Sequence, residues 1–187
     1  MNTRIIRTRV FDEDCALEVM DFEKADGKKW KELFDIWLNL KLGLREYSSR
    51  EPNLPEGLSE VAFCLWSGSS RFISARNLSN TSFDTFNTNT ERAEQIKACS
   101  IDRDLTSFGP KSKWDDLYLL DFFNNGVVDG HFDVYKIDSE LIYSAKVNKA
   151  QTLREQQADK RRPRISIKKD IIDKLSIKPL GKSIQVW

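Results

Sequence analysis

The period of the hydrophobic positions changes along the chain, and each change predicts a different kind of element. From Asp26 to Leu42, Trp30, Leu33, Phe34, Trp37 and Leu38 recur at helical spacing, which predicts an amphipathic helix with Gly43 as its stop. Pro52, Pro55 and Gly57 mark a loop. Leu58 to Trp66 reads as a second helix, apolar nearly all round and therefore buried, yet it carries Glu60 in its first turn. Beyond Gly68 the period drops to two. Arg71–Ala75, Asn80–Phe86 and Arg92–Ser100 read as strands, with turn chemistry at Asn87–Glu91 between the last two. Trp114–Leu120 fits helix or strand, Phe132–Ile137 alternates as a strand, and Gln151–Lys160 reads as a helix ended by Arg162-Pro163, with RISIKK strand-like after it. The order predicts an α/β fold, a mixed and mainly antiparallel central sheet flanked by helices.

At 187 residues, 40% hydrophobic and 32% charged, the chain is expected to be one domain: a helical part over 1–50, a core over 54–143 and a basic part over 144–187. No run approaches the roughly 18 apolar residues of a membrane span. The first residues lack the apolar stretch of a signal peptide, so a cytoplasmic protein is expected. Three cysteines at irregular spacing and a single histidine, His131, match no zinc pattern and suit reduced thiols.

Net charge is only +1, but it is unevenly spread. Ser144–Trp187 holds twelve Lys/Arg against four Asp/Glu, a balance of +8, and the rest holds eighteen against twenty-five, a balance of −7. A basic end on a neutral chain suits a local polyanion-binding surface; a solvated basic helix is the plainer alternative.

The stretch TSFDTFNTNTERAEQIKACS carries the candidate chemistry. On paired strands, Ser82 and Asp84 share one face, and Gln95 and Lys97 share one face while Ile96 and Ala98 take the other. A carboxylate, an amide and an ammonium then converge on one side of a hairpin. Such a set suits phosphodiester hydrolysis. A hard cation, usually Mg²⁺, takes oxygen ligands, polarises the phosphoryl group and lowers the pKa of bound water. Asp84 supplies charge, Gln95 a neutral oxygen and Glu60 a further ligand, direct or through water. Lys97 orients the attacking water and offsets charge in the transition state. Spacing alone is weak, since Asp84 also suits a turn cap and Lys97 an ordinary surface.

Asp84, about ten residues, then Gln95-Ile96-Lys97 resembles the PD-(D/E)XK nuclease motif, preceded as in that superfamily by a helix bearing a glutamate. QIKACSIDRDLTSFGPKSKWDDLYLLDFF, FDVYKI and VNKAQTLREQQADKRRPRISIKK resemble small type II restriction endonucleases that cleave short GC-rich palindromes such as GCNGC. The resemblance covers roughly Leu54 to Ile171. It implies a Mg²⁺-dependent endonuclease on double-stranded DNA, a homodimer matching a twofold site, and a cognate DNA methyltransferase as partner. The departure is Gln95, which stands where the family has an acid; Glu60 or the Ile96 carbonyl is expected to compensate, since Glu94 faces the other way. For DNA contacts the basic part offers Arg154, Arg161, Arg162, Arg164 and Lys168, with Gln156 and Gln157 for base edges and Lys111 and Lys113 near phosphates. Trp30, Phe34 and Trp37 are a candidate dimer face, though such residues are more often core. Two rivals remain: a repair or structure-specific nuclease of the same superfamily, and a DNA-binding regulator without catalysis, for which no helix-turn-helix or zinc pattern is present.

Overall fold

The computed structural model describes residues 1–102, 104–123 and 126–187. The chain opens as a hairpin, β1 (Asn2–Val10) and β2 (Glu13–Asp21), followed by α1 (Asp26–Glu46), α2 (Glu56–Ser67), β3 (Ser70–Arg76), β4 (Thr85–Asn87) and β5 (Arg92–Cys99). Next come β6 (Thr106–Ser107), β7 (Asp116–Asp121), β8 (Phe132–Ile137), α3 (Ser139–Ser144), α4 (Leu153–Ala158), β9 (Arg164–Ile165), a π-helix over Ile167–Asp173, and β10 (Gly181–Ile184). Among the described residues, eight strands form one sheet in the order β1-β2-β3-β4-β5-β7-β8-β10, antiparallel throughout except for the parallel pair β5–β7. The two remaining strands, β6 and β9, pair with each other. The α/β class and the mainly antiparallel, helix-flanked sheet are as expected.

The helical reading of the first fifty residues needs correction. Residues 2–21 pair strand to strand from Asn2↔Asp21 to Val10↔Glu13. Cys15, Leu17 and Val19 turn inward at a period of two and pack with Val10, Phe83 and Phe86. The two-residue turn puts Phe11 and Asp12 at φ 52° and 71°, the backbone a tight hairpin requires. Gly43 does not end α1 either. The helix runs three residues further, because nothing around Gly43 demands a left-handed residue; Gly68 is the glycine that caps, at φ 78° after α2.

Both faces of the sheet are covered. On one, α1 and α2 bury Trp30, Phe34, Trp37 and Phe63 against Ile96, Leu120 and Val134. On the other, α3, α4 and the π-helix bury Ile142, Leu153, Ile167 and Ile171 against Leu117, Leu119 and Ile137. Every residue of β7 is buried, as a parallel strand sandwiched on both faces should be, and so it shows no alternation. The C-terminal segment crosses the first turn of α1. A Cβ on Gly27 would lie 1.7 Å from the Val186 carbonyl oxygen, so only glycine fits there. Trp187 stacks on Trp30 at 5.7 Å.

Two further expectations are corrected. Of Asn80–Phe86 only the end is strand; Asn80 and Ser82 spend their side chains on local bonds, Ser82 Oγ to Asn80 Oδ1 (2.6 Å) and Asn80 Nδ2 to the Lys111 carbonyl (2.7 Å), which compete with a ladder. The segment RISIKK is strand only over Arg164–Ile165, and Lys168 and Lys169 sit on the π-helix. Among the described residues, no helix is long and apolar enough to cross a membrane.

Candidate active site

The site forms where β4 stops short. Beyond Thr85 the partner strand bends away, although Asp84 still donates its N–H to the Glu94 carbonyl (2.9 Å) and accepts from Phe72 N–H (3.0 Å). The Asp84 side chain turns in and takes the ladder position instead. Its Oδ2 accepts the Ile96 N–H at 2.8 Å and a close hydrogen bond from Gln95 Nε2. In an extended strand one residue's N–H and C=O face the same side, so the Ile96 carbonyl also lies towards the Asp84 edge of β5. Gln95 is buried and Lys97 half-buried. The Lys97 ammonium sits 5.9 Å from the Phe108 ring centre.

Electrostatics single out Asp84. Its carboxyl is held up at about 7: burial raises it most, Lys97 and the Ile96 N–H pull it down, and Glu60 and Glu56 push it up. The two glutamates stand one turn apart on α2, so one side of that helix presents both towards Asp84. Glu60 is buried and gives one carboxylate oxygen to Arg71 Nε at 2.6 Å, so its charge is shared with that arginine. Glu56 is exposed and lines the small pocket beside Lys97. Sequence reasoning misses it, though its i, i+4 relation to Glu60 is a legible signal. Glu94 is turned away and buried, its Oε2 held by Thr85 Oγ1 at 2.8 Å, as strand alternation requires.

For a metal, the donor set is one close carboxylate, an amide, a backbone carbonyl and more distant carboxylates; no three His, Cys, Asp or Glu side chains converge among the described residues. That poverty suits Mg²⁺, which keeps several waters, and does not suit a protein-enclosed zinc site. An under-compensated carboxylate held near 7 is what a cation would relieve. The Gln95 amide presents its nitrogen to Asp84; a half-turn about its last bond would present oxygen.

The expected DNA-contact residues divide in two. Arg161, Arg162 and Arg164 are exposed and meet no carboxylate among the described residues. Lys111 and Lys113 are exposed on the loop bonded to the Asn80–Ser82 segment that leads into Asp84. The others are engaged. Arg154 pairs with Glu140 at 2.7 Å and lies over the Tyr143 ring, and Gln157 donates to the Gly109 carbonyl at 2.7 Å. Gln156 is buried against Gln151, and Lys168 reaches inward to Asp121 (3.1 Å), Asp173 (3.4 Å) and the Tyr135 hydroxyl (3.3 Å). In this structure Gln156 and Lys168 brace the basic part from within. His131 sits at a loop end against Asp129 and Trp187, remote from the β5 cluster in its contacts.

A family model described as Bsp6I restriction endonuclease matches residues 22–174. The chain belongs to this family. It is 34% identical over 168 residues to the type II restriction enzyme Bsp6I of Bacillus sp. (strain RFL6), a match covering 87% of this chain and 91% of that enzyme. No solved structure matches the fold. As a Bsp6I-family member the chain is a type II restriction endonuclease. The family match begins after the β1–β2 hairpin and includes Glu56, Glu60, Asp84, Gln95 and Lys97, so the polar cluster on β5 lies inside the part that the family shares.

Proposed function

We propose that this Bsp6I-family enzyme hydrolyses phosphodiester bonds of double-stranded DNA at a short GC-rich palindrome of the GCNGC kind, with Mg²⁺, on a PD-(D/E)XK-type core. The observation that carries the reading is the Asp84 carboxylate at the broken edge of β5, hydrogen-bonded to Gln95 and to Ile96 N–H and under the field of Lys97. Asp84, the Ile96 carbonyl and the Gln95 amide oxygen are the ligands assigned to Mg²⁺, with Glu60 and Glu56 acting through water. The metal supplies Lewis acidity and an activated water. Lys97 donates to a non-bridging phosphate oxygen and balances the charge that builds there. Asp84 holds its side-chain position through the Ile96 N–H, so the carboxylate is preorganised before the substrate arrives.

One active site cuts one strand, so cutting both strands of a palindrome implies two copies related by a twofold axis. The reading therefore includes a homodimer acting in the bacterial cytoplasm, with a methyltransferase to protect host DNA. The test is incubation with unmethylated phage DNA in Mg²⁺ or EDTA, beside Asp84→Ala. Discrete fragments that require Mg²⁺ and vanish in the variant support the reading, and their mapped ends give the target. A folded protein that binds DNA but never cuts it, in any divalent metal, refutes it.

A further inference from the structure

Lys97 lines a pocket of about 170 Å³ that opens into a cleft of about 660 Å³. Asn53, Asp104, Leu105 and Ser107 line both, so the two are one groove leading away from the β5 cluster. One wall is the loop between α1 and α2, where Arg50 stands. The other is the β6–β9 ribbon, in which Ser107 pairs with Arg164. The floor includes Lys41, 2% exposed, whose ammonium donates to the Ser100 carbonyl at 3.0 Å and lies 3.6 Å from Glu51.

The acids of the outer cleft, Glu51 and Asp104, are already engaged and its arginines are not. Glu51 takes Arg45 at 2.6 Å as well as Lys41, and Asp104 accepts backbone N–H groups of Ser100 and Leu105. Lys41 is likewise committed, so it sets the floor and does not reach outwards. Arg50 and Arg164 are exposed, stand on opposite walls, and meet no carboxylate among the described residues. Two uncommitted guanidiniums across a groove that ends at the proposed catalytic lysine suit a chain of phosphodiesters, which guanidinium binds in bidentate fashion.

We infer that this groove carries the DNA strand flanking the scissile phosphate, with Arg50 and Arg164 gripping its phosphates from the two walls. The inference rests on the endonuclease reading and adds to it. It makes the α1–α2 loop a DNA-binding element, outside the basic part of the sequence, and it gives the β6–β9 ribbon a role, that of carrying Arg164 from the basic tail to the groove. Arg50 and Arg164 are positioning residues, since they hold the strand and leave the reacting atoms to the β5 cluster.

The test uses the full chain and a fluorescent duplex cut from phage DNA across a mapped cleavage site. Binding is measured against salt with Ca²⁺ in place of Mg²⁺, and cleavage in Mg²⁺. Arg50→Ala and Arg164→Ala are each expected to weaken binding several-fold and to reduce the slope of log K against log salt by about one. Arg50→Lys should restore the slope, because the charge returns, but only part of the cleavage rate, because the bidentate grip does not. Lys28→Ala, on the exposed start of α1, serves as the control and should match wild type. Folded Arg50→Ala and Arg164→Ala proteins with wild-type affinity, slope and cleavage would overturn the groove while leaving the endonuclease intact. A wild-type protein that neither binds nor cuts the phage DNA would instead overturn the reading on which the groove rests.

Discussion

Asp84 carries the largest electrostatic burden at the proposed site, and that burden is measurable without substrate. Its folded carboxyl sits at about 7, against about 3.9 in an unfolded chain. The native state therefore binds more protons between those values, and the Asp84 contribution makes stability fall as pH rises through that window and level off above it. Thermal melts in EDTA from pH 4 to 8 should show Asp84→Asn losing less stability than wild type over that window; parallel curves would show that Asp84 is not held in this state. Mg²⁺ binding at the site should correspondingly weaken as pH drops below about 7, since protons compete for the same oxygen. Gln95 invites the opposite change. Gln95→Glu puts a second carboxylate against Asp84, so it should lower Tm without metal and raise the Mg²⁺-induced gain in Tm above that of wild type. A smaller gain would mean that the amide's geometry, and not its lack of charge, sets the metal affinity. At this scale the sequence is informative: strand alternation correctly separates Gln95 and Lys97 from Glu94 and Ile96. It cannot reveal that Arg71 claims Glu60 or that Glu56 shares the pocket with Lys97, because both depend on how α2 lies across the sheet.

Elements are legible where one face is buried and opaque where burial is two-sided or backbone bonds compete. The α1 stripe and the alternation of Phe132–Ile137 identify their elements, whereas β7, buried throughout, fits helix and strand equally. The first hairpin escapes a reading by period even though Cys15, Leu17 and Val19 alternate, since β1 is an edge strand with little buried pattern of its own. Nothing in RISIKK signals a π-helix; Ser166 caps it through Lys169 N–H, and Lys168 is drawn in by Asp121. The contact between α1 and the C-terminal segment has a sharp consequence. Gly27→Ala forces a methyl group onto the Val186 carbonyl, and overpacking of this kind costs about 1–3 kcal/mol. Urea melts should show that loss with little change in slope. A variant as stable as wild type would show that Val186 and Trp187 can leave α1 at little cost.

For the whole molecule, the +8 balance of the last 44 positions overstates what faces outwards. Lys168 and Lys169 are paired with Asp121, Asp173 and Asp102, and Arg154 with Glu140, which leaves Arg161, Arg162 and Arg164 as the arginines of that part that meet no carboxylate among the described residues. Arg162→Ala should therefore weaken binding to duplex DNA and flatten its salt dependence by about one unit of slope, whereas the already paired Arg154 should matter less. Equal effects in fluorescence titrations across a salt series would show that the Arg154–Glu140 pair opens on DNA. Trp30, Phe34 and Trp37 are core residues here, so the proposed homodimer would use some other face.

Whether Asp84, Gln95 and Lys97 form the active site of a metal-dependent endonuclease is decided most sharply by single-turnover cleavage with Lys97→Ala, DNA binding being measured in parallel. Lys97 is half-buried and stands beside a carboxylate that it stabilises, so the variant tests chemistry apart from the exposed basic surface. Binding is expected within a few-fold of wild type, with a cleavage rate lower by at least about a hundredfold, the usual size for losing one charge-stabilising donor. Cleavage at the wild-type rate by the folded variant would contradict this assignment and place the catalytic centre elsewhere in the chain.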